Sequence, residues 1–398
     1  MSVAAASIAD TAPPTVSVNG FDIEVVSDWA QAAARWPLFA ASGDDMPFQD
    51  IGWLQAWYGA FAGTEIEPLI VFIGIAATGA RIALVPLIRR RHRGIRIVEF
   101  ADLDLTDYNA PILSRNAPRD PASARAMWRA LRKALRRTDG GADLIRLRKM
   151  PLDIGGAPNP LALLSAARPS SLNGNLLTVG DDFEAHRHTR PRTFRKELER
   201  SWRVFTRNPD AAFRMVSGRD DALAVLDIIE RQQDARMKDL GLNFVLNDDV
   251  NARFYHDLVR DGVERGTVAV STLTAGDQMV AALIGLRTGR RYTMIRISNA
   301  GEAWSNCSPG RLIIERTMAA LHRDGVRAFD FSIGNYAYKR RFGTLPVPLA
   351  DVTAALSWRG LPFVLRDAVA FRLRRHPRLR DRLRQLLGKP PIREESLA

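Results

Sequence analysis

The segment Trp304–Gly343, "WSNCSPGRLIIERTMAALHRDGVRAFDFSIGNYAYKRRFG", decides how the chain is read. Ser308 stands where an N-cap belongs and Pro309 suits a first helical position. Leu312, Ile313, Met318, Ala319 and Leu321 supply an apolar face, so a helix opens at Pro309. "RAFDFSI" then alternates as a strand does, with Asp330 pointing away from the face used by Phe329 and Phe331. Upstream, "TVAVSTLTAG", "DQMVAALIGLRTG" and "RRYTMIRIS" read as three antiparallel strands joined by glycine turns. Strand, loop, helix N-terminus and a second strand beside the first leave a gap suited to an extended ligand. The amides and dipole of such a helix end attract phosphate oxygens. Gly310 admits a close approach to the backbone and Arg311 adds charge. The plainer alternative is that Ser-Pro-Gly does no more than start a helix.

Further out, the first half has the same rhythm. "FDIEVV" is a strand, "DWAQAAARW" a helix, and "FQDIGWLQAWYGAFAG" a helix with Trp53, Trp57 and Phe61 on one face. Leu69–Arg90 reads as a hairpin, followed by strands at "IRIVEFA" and "APIL", a helix over Pro121–Arg137 and a strand at "ADLIRLRKM". "PLDIGGAPNP" and "RPSSLNGN" read as breaker-rich loops. "AAFRMVS" opens the second half as a strand, before helices at "RDDALAVLDIIERQQDARMKD" and "NARFYHDLVRDGVERG". The expected division is a loose tail over 1–18, one unit over 19–165, a second over 181–360 and a basic helical tail over 361–398. Hairpins of like form at Leu69–Arg90 and Val268–Arg287 suggest two copies of one α+β unit.

The chain has 398 residues and a formal charge of +13, with 57 Lys and Arg against 44 Asp and Glu. That excess favours an anionic partner. It is concentrated in His186–Arg207 and Phe363–Ala398. The one cysteine, Cys307, excludes an internal disulfide framework and reads as a small buried residue. The most apolar run, Leu69–Ala77, is far shorter than the ~20 residues of a membrane span. A cytoplasmic protein is expected. The six histidines are scattered, and no metal site, phosphate loop, dinucleotide fingerprint or nucleophile elbow is legible.

The order of "PFQDIGWLQAWYGAF", "ALVPLIRRR", "DYNAPIL", "SPG", "DFSIG" and "YKRRFG" resembles the CelD/BcsL-type acetyltransferases of the GNAT superfamily. These are linked with cellulose or exopolysaccharide production. They share with Fem-type aminoacyltransferases two GNAT-like domains in tandem. The resemblance implies an α+β fold of two such domains, each a mixed, mostly antiparallel sheet flanked by helices. It implies an N- or O-acyltransferase that uses acetyl-CoA or another acyl-CoA as co-substrate, without a metal. The diphosphate would lie near Ser308, Pro309, Gly310 and Arg311, and the pantetheine arm along the strand edge at Ile297 and Ser298. Asp330, Tyr338 and Lys339 would serve the chemistry. Where the family carries an acidic pair before its Tyr-Lys, this chain has Asn335 and Tyr336, so another base is needed, such as Asp330 or a water.

Other side chains carry two readings each. Asp107 and Tyr108 line an acceptor cleft or merely a turn. Arg236, Asn335 and Arg341 reach substrate or belong to solvated surfaces. Trp53 and Trp57 fit a core better than a sugar platform. The expected acceptor is a saccharide or amine. An alternative is a non-catalytic or weakly active accessory protein of a polysaccharide synthesis complex, held at an anionic inner membrane by 363–387, where Leu365, Val369 and Leu373 recur between arginines. A further alternative is aminoacyl transfer from charged tRNA, although the chain lacks a long helical arm. Nucleic acid is otherwise disfavoured, since the basic run matches no recognised module.

Overall fold

Apolar runs broken by glycine turns fold here as antiparallel strands, and in each half a helix then crosses over to a parallel strand. The computed structural model describes residues 15–35, 46–241, 246, 248–334 and 336–376. β1 (Thr15–Val18), β2 (Phe21–Val26), β3 (Glu67–Ile75), β4 (Arg81–His92) and β5 (Ile95–Phe100) are successive antiparallel neighbours. α1 (Trp29–Ala33) and α2 (Ile51–Ala60) separate β2 from β3, and β6 (Ile112–Leu113) pairs with β4. α3 (Pro121–Arg137), capped by the Asp120 carboxylate, carries the chain to β7 (Leu144–Pro151). β7 runs parallel to β5 through Ile97↔Leu144 and Val98↔Ile145. A small hairpin, β8 (Asp153–Ile154) with β9 (Ala157–Pro158), precedes β10 (Arg168–Thr178).

The second half repeats this plan. α4 (Phe183–Thr189) and α5 (Arg192–Phe205) lead to β11 (Ala212–Val216), and α6 (Arg219–Asp239) and α7 (Asp249–Glu264) follow. β12 (Val268–Ala275), β13 (Gln278–Thr288) and β14 (Arg291–Asn299) are antiparallel. α8 (Pro309–Arg323) crosses to β15 (Ala328–Asp330), parallel to β14. α9 (Ala337–Arg341), β16 (Leu345–Ala355) and α10 (Leu361–Arg375) end the described chain.

The halves exchange their closing strands. β10, from the first half, pairs with β15 of the second, while β16, from the second, pairs with β7 of the first; β10 and β16 also pair with each other. One sheet results, in the order β1-β2-β3-β4-β5-β7-β16-β10-β15-β14-β13-β12-β11. A core under α2, α3, α6 and α7 runs through both halves, and a second lies under α5 and α8. Trp53 of α2 meets Phe254 of α7 edge-on at 4.8 Å, so aromatic packing joins the halves as well. Each such fully buried side chain contributes about 1.5–3 kcal/mol. Trp53 and Trp57 are core residues.

Three expectations change. "RPSSLNGN" is not a loop but the start of β10, because pairing with β16 and β15 outweighs the poor strand propensity of Pro, Ser, Asn and Gly. The tail expected over 1–18 ends earlier, since Thr15–Val18 pairs with β2; residues 1–14 lie outside the described residues. "PLDIGGAPNP" contains the β8–β9 hairpin. Of the expected basic tail, α10 is described, and the part from 377 onward lies outside the described residues.

Candidate functional site

β14 and β15 pair only through Arg291↔Ala328, Tyr292↔Phe329 and Thr293↔Asp330. β15 then stops while β14 continues to Asn299. On its other side β14 bulges: its partners pass from Gly285↔Met294 to Ile284↔Arg296, which leaves Ile295 as the extra residue. Just past β15, Ser332 turns into the left-handed region (φ 60) and its hydroxyl donates to Met294 O at 2.6 Å. From Met294 onward the β14 edge therefore has no strand neighbour on the β15 side among the described residues.

Residues from both halves converge at this divergence. Asp330, fully buried, accepts from Tyr108 Oη at 2.8 Å and from Ser332 N at 2.7 Å, and it pairs with Arg291. Both oxygens of Asp330 are thus engaged, one by Tyr108 and the Ser332 amide and the other by Arg291. Lys339 is buried and donates to Ile333 O at 2.6 Å and to Ser332 O at 3.3 Å. Burial lowers its pKa to about 8, against the pull of Asp107 and Asp330. Asn175 of β10 holds the same turn, donating to Ser332 O at 2.8 Å and Gly334 O at 2.9 Å.

Asp107 is partly exposed at the edge of this cluster. Burial raises its pKa from 3.8 to about 6, even though the Ser332 hydroxyl and the ammonium groups of Lys149 and Lys339 favour the charged form. Tyr338 is pushed up to about 12, by burial and then by Tyr336, so it keeps its proton throughout the neutral range. The cluster thus has a carboxylate that titrates near neutrality and a buried ammonium, and Tyr338, one position from Lys339 in α9, is a phenol that stays protonated.

The opening of α8 departs from the sequence reading in one respect. Ser308 occupies the N-cap position in a left-handed conformation (φ 47) and its side chain caps no amide. Its hydroxyl instead accepts from Arg311 at 2.7 Å. Gly310 faces open space, since an added Cβ would find nothing closer than Asn299 Nδ2 at 3.9 Å. Arg311 is held by Glu197 of α5 at 3.0 Å, and Arg341 of α9 meets the same carboxylate at 2.6 Å. A carboxylate thus sits between two arginines beside the helix opening.

The β14 positions singled out from sequence are bonded by two glutamines of α6, while the Ile297 side chain packs against the core under α5 and α8. Ser298 Oγ donates to Gln232 Oε1 at 2.6 Å, and Ile297 O accepts from Gln233 Nε2 at 3.0 Å. Arg236 is exposed on the last turn of α6, with no side-chain bond to the cluster. Asn335 lies outside the described residues. Cys307 is buried and donates to Trp304 O at 3.2 Å. Among the described residues, Asp227, Glu230 and His256 have a spacing that could hold a metal ion. Arg296 lies 3.3 Å from Glu230 and already supplies positive charge there. Ser332, Asn175 and Arg291 were not singled out in the sequence. The Gly-flanked "FSIG" turn was the one available signal, and it pointed only to Ser332.

Comparison with known proteins bears on the domain and the fold. Residues 192–340 match a model of the acetyltransferase (GNAT) domain. The whole fold is similar to a crystal structure of FemX, with TM-score 0.55 and 9% identity, covering 82% of this chain and 96% of that one. It is similar to a conserved protein of unknown function from Bacteroides thetaiotaomicron, with TM-score 0.51 and 9% identity over 84% of this chain and 100% of that one. A third similar structure is the C-terminal domain of a putative lysylphosphatidylglycerol synthetase from Agrobacterium fabrum, with TM-score 0.50 and 11% identity over 86% of this chain and 96% of that one. No curated protein matches in sequence. The chain thus has a mixed α+β fold in which two halves of like plan share one large sheet, and the segment 192–340 that matches the acetyltransferase (GNAT) domain model lies in the second.

Proposed function

We propose that the chain transfers an acyl group, acetyl first among candidates, from acyl-CoA to an amine or hydroxyl acceptor at the divergence of β14 and β15. The observation that carries this reading is the bulged, unpaired β14 edge beside the opening of α8, inside the segment that matches the acetyltransferase domain. In this reading the diphosphate lies against Ser308–Arg311, displacing Glu197 from Arg311 and Arg341. Pantetheine runs along β14 near Ile297 and Ser298, and Gln233 gives up Ile297 O to it.

The chemistry follows from the cluster. The acceptor N–H or O–H attacks the thioester carbonyl, and Asp107 takes its proton. Amides of the bulged β14 edge stabilise the oxyanion. The C–S bond then breaks, and Tyr338 protonates the departing thiolate. Lys339 holds the 332–334 turn and lends positive charge. Asp330 and Tyr108 position the turn, and Arg236, Asn335 and Arg341 remain candidates for acceptor contact. By the sequence resemblance, the acceptor is a saccharide or amine of exopolysaccharide or cellulose synthesis, handled in the cytoplasm. Peripheral contact with an anionic membrane through 363–387 fits the same setting. No described helix is long and apolar enough to cross a membrane.

Calorimetry with acetyl-CoA, succinyl-CoA and free CoA at protein concentrations above ~10 μM tests the donor. Saturable heat with at least one acyl-CoA is expected; none with any of them overturns the proposal. The likeness to FemX, together with the arginine-rich α5, favours aminoacyl-tRNA as the second reading of the donor. Transfer from charged tRNA without acyl-CoA binding would select it.

A further inference from the structure

We propose that a cavity of about 650 Å³ between the β5–β7–β16 surface and α10 binds a phosphorylated polyol, its phosphate held by Arg146 and Arg148. The volume suits a small polar ligand. The cavity opens where the parallel pairing of β5 and β7 ends: Glu99 and Phe100 lie beyond Val98, and Arg146 and Arg148 lie beyond Ile145. It is therefore the first-half counterpart of the gap between β14 and β15. This site does not depend on the acyl-transfer reading.

Arg146 gives the cavity its chemistry. Its side chain is 5% exposed, and its Nη2 is buried without a hydrogen-bond partner among the described residues. Its Nε is 3.2 Å from Asp367 Oδ2 but is not aligned for a hydrogen bond. A buried guanidinium left partly unbonded is costly, and a phosphate that reached it from the cavity would relieve that cost with a charge-assisted bond. Asp367 has other partners, Thr353 Oγ1 at 3.2 Å and Arg366 at 2.9 Å, so it can share Arg146. Arg148, close enough to Arg146 to depress its pKa, is exposed and adds a second guanidinium at the mouth.

Two of the other lining cations have carboxylate partners. Lys149 bonds Asp102 at 2.8 Å, and Arg90 pairs with Glu99. Asp351 and Ser171 also line the cavity and can accept from hydroxyl groups, which is why the ligand is a polyol phosphate and not phosphate alone. Two sources supply this chemistry. One is a free sugar or glycerol phosphate. The other is a phospholipid headgroup, because α10 and the turn before it expose Trp358, Leu361 and Leu365 beside Arg359 and Arg366.

The test uses the full chain. Calorimetry with glycerol 1-phosphate, glucose 6-phosphate and inorganic phosphate reads the free source. Flotation with phosphatidylcholine vesicles, with and without phosphatidylglycerol, reads the lipid source. Saturable binding in at least one arm is expected, with inorganic phosphate weaker than the polyol phosphates. Arg146→Gln or Arg148→Ser should weaken it about tenfold or more. Binding in the free arm identifies a metabolite, and capture only by phosphatidylglycerol vesicles identifies a headgroup. Should Arg146→Gln fail to fold, the exposed Arg148→Ser carries the test. Absence of binding in both arms, or binding that the Arg148→Ser protein retains in full, overturns the proposal.

Discussion

In the proposed mechanism, Asp107 is the residue on which acid–base chemistry turns. With its pKa raised to about 6, transfer should climb as pH passes 6 and the carboxylate ionises. Lys339, at about 8, should give a falling limb above pH 8 as its ammonium is lost, so a bell-shaped profile is expected. Asp107→Asn should lower kcat by ~10²–10⁴ and abolish the acid limb. Its effect on stability has a definite sign. The folded state holds the Asp107 proton more tightly than the unfolded chain does, so ionisation costs stability as pH rises from about 4 through 6. The Asn variant should be more stable by about 1–2 kcal/mol above pH 6 and unchanged below pH 4, by denaturant titration. A stability gain with unaltered transfer would make Asp107 a structural acid only. At this scale the sequence was half legible. Phenols and cations at a strand end marked Tyr338 and Lys339, and "LDLTDYNAP" marked Asp107 and Tyr108. That Tyr108 bonds Asp330 across 222 positions follows from strand pairing, which no local pattern encodes.

Among the elements, β10 and the α5–α8–α9 junction respond most sharply to single changes. Gly174 of β10 lies under Tyr108, where an added Cβ would come within 2.2 Å of the phenolic oxygen. Gly174→Ala should destabilise the fold by about 1–3 kcal/mol, or more if Tyr108 must leave Asp330, as a drop in melting temperature. In the proposed donor site, Glu197 competes with the diphosphate. It occupies Arg311 and Arg341, so Glu197→Gln should tighten acyl-CoA several-fold, with the gain shrinking at high salt, by calorimetry. Weaker binding in that variant would show that Glu197 helps build the groove. Helices and hairpins were readable because their apolar periods are strong. β10 was not, because a sequence of Pro, Ser, Asn and Gly becomes a strand only between two partners from the far half.

For the whole molecule, the exchange of β10 and β16 makes the halves interdependent. A chain divided at Gly180 deprives each part of a strand it needs. The 181–360 fragment alone should fail to accumulate in soluble form, while the intact protein unfolds in one transition by calorimetry. Two resolved transitions would show that the exchange is energetically minor. The duplicated plan was visible in the two hairpins, but duplication says nothing about which half keeps which closing strand.

Synthesis on the ribosome must contend with that same interlock. The β7 edge is complete by Pro151, yet its partner begins at Leu345. At ~5–20 residues per second, the nascent chain holds that edge open for roughly 10–40 s, long enough for chaperones or neighbouring chains to reach it.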